Sequence, residues 1–74
     1  MSQKSIEQNE TRLDNILSAL AWNELPTKTV LMALGMFQEK TQEQQEQWLS
    51  KMEQYLWDHN GEITEAQFQR MAGM

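Results

Sequence analysis

Apolar residues recur along the first third of the chain at Ile6, Leu13, Ile16, Leu17 and Leu20, the spacing of one helix face at 3.6 residues per turn. The pattern predicts a first helix over about 9–21. Ser5, with Gln8 three residues on, offers an earlier start. Asn9 and Glu10 interrupt the apolar face, so residues 1–8 are expected to fray. Trp22 lies away from the face, which places the helix end there. Asn23 to Pro26 reads as a connection, because the residue before a proline avoids the helical region.

The second segment has no periodicity to read. Val30 to Phe37 is apolar at every position. Leu, Met and Ala outnumber β-branched residues, and no second strand is available for pairing, so the segment is expected to be a helix over 28–38, capped by Thr27. Gly35 weakens that helix by about 1 kcal/mol relative to Ala, which points to a backbone passing close by. Thr41 with Gln44 forms a capping-box pattern and opens a third helix over 42–58. Trp48, Leu49, Met52, Tyr55 and Leu56 make its apolar stripe. Thr41 and Gln45, the backward extension of that stripe, are polar, so the first two turns should project beyond the core. Asn60-Gly61 stops the helix. Thr64 with Gln67 starts a short fourth helix over 65–71, and Ile63 with Phe68 forms a hydrophobic staple across its start. The expected core joins Leu17, Leu20, Leu34, Phe37, Leu49, Met52 and Leu56.

The expected fold class is therefore all-α: one small domain spanning 1–74, a bundle of three to four helices completed by dimerisation. Length agrees, since 74 residues make a single domain with a thin core. At 8.7 kDa a folded monomer should expose roughly 4,700 Å². Three Trp and six Met oppose disorder. A net charge of −5 disfavours direct binding to nucleic-acid phosphates or an anionic membrane surface. The eight-residue apolar run is far short of the ~20 a membrane span needs. A polar N-terminal segment without a hydrophobic signal region fits the cytoplasm.

Chemistry-bearing motifs are scarce. No Cys is present, and His59 is the only histidine. There is no glycine-rich phosphate loop and no plausible Ser-His-Asp set, so no catalytic, cofactor or metal site is expected. A bundle this small also leaves little room for a ligand cavity of ~300 Å³. The stretch Asp58 to Phe68 resembles the later part of a calcium loop. Aligning Gly61 with the loop glycine puts Leu56 and Gln67 at ligand positions, which leaves Asp58 and Asn60 as the remaining side-chain ligands. A helix stop followed by a helix start explains the stretch better. His59 with Asp58 and Glu62 is read as solvated surface.

Two features point to partners. Glu39, Glu43, Glu46 and Glu53, with Trp57, fall on the side of the third helix away from its apolar stripe. For the glutamates alone a solvated, solubilising face is the simpler account. Trp57 either folds back under the last helix against Phe68 or meets another protein, where Trp is enriched. The second helix carries the other signal. A bundle of this size cannot cover every side of Val30 to Phe37, so Leu31, Met32, Gly35 and Met36 are the expected homodimer interface. The function expected is that of a non-catalytic protein-interaction module: a small acidic regulator, adaptor or assembly subunit. The alternative is an acidic nucleic-acid mimic that inhibits a DNA- or RNA-binding protein.

Overall fold

The computed structural model describes residues 2–73, with side chains from Asn9 onward; the first helix extends back to Ser2, seven residues before the expected start near 9. Four helices follow in order: α1 (Ser2–Trp22), α2 (Thr27–Gln38), α3 (Gln42–Asp58) and α4 (Glu65–Ala72). No strand occurs among the described residues, and the all-α class stands as expected. None of the helices is long and apolar enough to cross a membrane.

Side-chain bonds give the helix directions. Arg12 of α1 reaches Glu53 of α3, and Asn23, just past α1, reaches Gly61, just past α3. Both pairs advance together along the sequence, so α1 and α3 run parallel. Phe37, at the end of α2, shares a crevice with Leu13 of α1 and Gln45 of α3, so α2 runs antiparallel to both. α4 crosses near the start of α2, where Thr29 Oγ1 donates to Glu65 Oε2 at 2.8 Å.

The helix ends are set by local chemistry. Thr41 and Gln44 form the complete capping box at the start of α3, each side chain bonding the other's backbone N–H. Thr64 caps α4 by accepting from Gln67 N–H. α2 differs from expectation. Its N-cap position is Pro26, without a side-chain cap, and Thr27 is the first helical residue. Proline lacks an N–H and its fixed φ suits a helix entry, so α2 starts without a hydroxyl cap.

The core is built from Ile16, Leu20, Ala33, Phe37, Trp48, Leu49, Met52, Ile63, Phe68 and Ala72. Phe37 and Trp48 meet with ring centroids 5.2 Å apart, tilted at 59°. Leu17 and Leu56 are half-buried and pack against this cluster. Leu34, expected in the core, is only half-buried. The buried line of α2 is instead Thr29, Ala33 and Phe37. Phe37 belongs to both lines, so the helix is turned by less than one residue step from the Val30/Leu34/Phe37 orientation, toward Thr29 and Ala33. Two contacts account for the turn. Thr29 buries its hydroxyl only because Glu65 accepts from it, and Ala33 is the small residue that lets a neighbouring helix approach.

The chain exposes 5354 Å², above the roughly 4,700 Å² expected of a folded monomer of its mass. Its extents, 35 × 24 × 16 Å, show an elongated body. Part of the excess surface is apolar: Trp22, Leu31, Met32 and Trp57 all stand more than half in solvent.

Candidate interaction surfaces

Two surfaces emerge, one along the α1–α3 seam and one on the outside of α2. On α3, Glu46, Ser50, Glu53 and Trp57 fall at i, i+4, i+7 and i+11 and form one stripe facing the flank of α1. Arg12 of α1 closes on this stripe. Its Nη2 lies 2.6 Å from Glu53 Oε1 and 3.0 Å from Ser50 Oγ, and its Nε donates to both Glu53 oxygens at 3.1 Å. The forked geometry matches a planar guanidinium to a carboxylate. Hydrogen bonding to Glu53 raises the Arg12 pKa above its ordinary value; partial desolvation lowers it by less, and the charges of Glu53 and Glu46 add smaller increases.

Beyond this pair, toward the C-terminal ends of both helices, the seam opens into a groove of about 630 Å³ between Asn15 and Ile16 on one side and Leu56, Trp57 and Gly61 on the other. The space that the chain length made improbable is thus present, as a trough open to water rather than an enclosed cavity. Trp57 borders it with 83% of its surface exposed. The expected alternative, Trp57 folded back against Phe68, is not what forms: Phe68 is fully buried within the core, and Trp57 stays outside. Trp22 is 86% exposed. It lies seven residues from Asn15, two turns along the same flank of α1.

The acidic row is shorter than the spacing implied. Glu43 and Glu46 are exposed on α3. Glu53 is tied to Arg12. Glu39 belongs to a different helix end: it is the C-cap of α2, exposed, with its N–H bonded back to the Met36 carbonyl while Lys40 N–H takes that of Phe37. Of the α2 residues expected at a dimer interface, Leu31, Met32 and Gly35 are exposed and Met36 is half-buried.

The turn after α3 is occupied by structural bonds. Asn60 and Gly61 both take positive φ, 56° and 79°, and Gly61 N–H bonds the Leu56 carbonyl at 2.7 Å. His59 stacks on Tyr55 with centroids 3.9 Å apart, and its Nδ1 donates to the Tyr55 carbonyl at 2.8 Å. Asp58 accepts from Gln54. No group of three potential metal ligands converges among the described residues.

Two residues escaped sequence reasoning. Asn23 bridges the end of α1 to the α3–α4 turn: its Nδ2 donates to the Ala19 and Gly61 carbonyls, and its Oδ1 accepts from Ile63 N–H. Arg12 bonds residues 38 and 41 positions away, a separation at which sequence spacing carries no signal. Trp22 did have a signal, its place off the apolar face of α1. Comparison with family models, with curated proteins and with solved structures finds no match to this chain.

Proposed function

We propose that this chain is a non-catalytic protein-interaction module that pairs with itself through α2 and presents the Trp57 side of α3 to another protein. The observation that carries the reading is Trp57, 83% exposed on the border of the α1–α3 groove, with Glu46 and Glu43 farther along α3. A Trp held in water on an ordered helix is the kind of residue that anchors interfaces, and the groove beside it gives a partner side chain a place to enter. Trp22 extends the apolar area along α1. The acidic-mimic reading has less support, because Arg12 neutralises Glu53 and Glu39 sits at the end of another helix.

The test is photo-crosslinking in lysate of the cell that makes the chain, irradiated at low and at raised salt, with a photoreactive residue at position 57 and, as control, at position 51. Lys51 is also exposed but faces away from the groove. A discrete protein adduct from position 57, absent from position 51 and persisting at raised salt, is expected. Identical adduct sets from both positions would refute the reading. An adduct from position 57 that is lost steeply with salt would favour the electrostatic mimic instead.

A further inference from the structure

We propose that two copies of this chain pair through the outer faces of their α2 helices, antiparallel about a two-fold axis that passes between Ala33 and Leu34, with Met32 of each copy seated over Gly35 of the other. The proposal rests on the self-pairing reading above and gives it a register.

The first observation concerns Gly35. It lies inside a helix, with no positive φ that would call for glycine. A Cβ built at this position meets nothing within 4 Å. Alanine would fit the folded chain and favour the helix. Packing within one copy therefore gives no reason for glycine, whereas a neighbour's side chain pressed onto the α2 backbone does.

The second observation is the pattern around it. Lys28, Met32, Gly35 and Glu39 follow one another at i, i+4, i+7 and i+11, a single stripe along α2 and its C-cap. All four are exposed, and Leu31 beside them is 60% exposed. Among the described residues neither Lys28 nor Glu39 enters an ion pair. The stripe thus has a cation at one end, an anion at the other, and a long side chain next to a gap in the middle.

Such a stripe complements itself in one orientation. Set antiparallel, residue 28 faces 39, residue 31 faces 36, and residue 32 faces 35. Each Met32 then fills the space that the second copy's Gly35 leaves open, and each Lys28 meets the second copy's Glu39. Every contact occurs twice, as a closed two-fold interface requires. Lys28 and Glu39 are eleven positions apart, about 16 Å along the helix, so the two ion pairs close the two ends of the apolar strip. A parallel pairing would set lysine against lysine and glutamate against glutamate. The match of the stripe to its own reverse favours a second copy over a different protein.

Sedimentation equilibrium on the whole chain, up to ~100 μM, tests this against Lys28→Glu, Glu39→Lys, their double variant and Gly35→Ala. Wild type is expected to be a dimer. Each single reversal creates two like-charge contacts and should raise the dissociation constant about tenfold or more, and the double variant should return it close to wild type. Gly35→Ala should weaken the dimer while raising the melting temperature of dilute monomer, a pair of changes that a folding defect cannot produce. A monomeric wild type overturns both the pairing and its register. A dimer whose charge reversals are not rescued, or which tolerates Gly35→Ala, overturns the register and leaves self-pairing and the Trp57 reading in place.

Discussion

Leu49→Ala and Leu34→Ala look equivalent in sequence, each replacing an isobutyl side chain on the apolar line of its helix by a methyl group. The structure separates them. Leu49 is 0% exposed among Ile16, Leu20, Met52 and the other core residues. Its truncation loses the transfer free energy of the removed carbons and leaves a cavity that a thin core cannot collapse to fill, together about 3–5 kcal/mol. Leu34 keeps part of its surface in water and stands outside the packed cluster, so its loss should cost about 1 kcal/mol, nearer a partial burial term. A chain of 74 residues has a total stability of about 4–11 kcal/mol, so the first change removes roughly a quarter of it or more and the second a minor part. For a domain of this size about 1 kcal/mol shifts the melting temperature by roughly 4–8 °C. Leu49→Ala should therefore melt more than ~12 °C below wild type, and Leu34→Ala within about 8 °C of it.

The assay is thermal and urea unfolding followed by circular dichroism at low micromolar concentration, where self-association through α2 adds least to apparent stability. Equal urea slopes for the three proteins would show that the comparison reports stability rather than a change in the surface exposed on unfolding. Equal losses from the two variants would refute the reasoning. They would mean that α2 presents its Val30/Leu34 side to the core, and that Thr29, Ala33 and the outward stripe have been placed wrongly.

Two further outcomes follow from polar contacts. Asn23→Ala removes three side-chain bonds, two of which hold the end of α1 to the α3–α4 turn; it should cost about 1–3 kcal/mol and speed amide exchange at Ile63, whose N–H loses its acceptor. Arg12→Gln and Glu53→Gln should each lower stability by at most about 1 kcal/mol, since their side chains are 30% and 41% exposed, and a double-mutant cycle should show a coupling that shrinks with added salt. Because the pKa raised by folding belongs to a base, the Arg12 contribution is complete at neutral pH and declines only at extreme alkalinity, so alkaline titration to mildly basic pH should leave the coupling unchanged.

How far the sequence carried the reading differed from element to element, and the physics explains the difference. α3 was legible to the residue because its apolar stripe, its capping box and its Asn-Gly stop all report the same boundaries. α4 was nearly so, through Thr64 and the staple of Ile63 with Phe68. The orientation of α2 was not, because a run that is apolar on every side has no period, and what decides it leaves none: the hydroxyl of Thr29, the small side of Ala33 and the carboxylate that Glu65 brings from α4. The acidic row was misjudged for the related reason that spacing along one helix does not show a cation arriving from another, and Arg12 arrives at Glu53 from α1. What the sequence did hold about α2 was its excess of apolar residues, and the structure changes the meaning of that excess. Turning the helix toward Thr29 and Ala33 leaves Leu31 and Met32 outside, on the face that carries Gly35. The same polar contact that fixes the inner side of α2 thereby selects which residues it offers outward, so altering Thr29 or Glu65 should disturb self-association without touching a residue of the proposed interface.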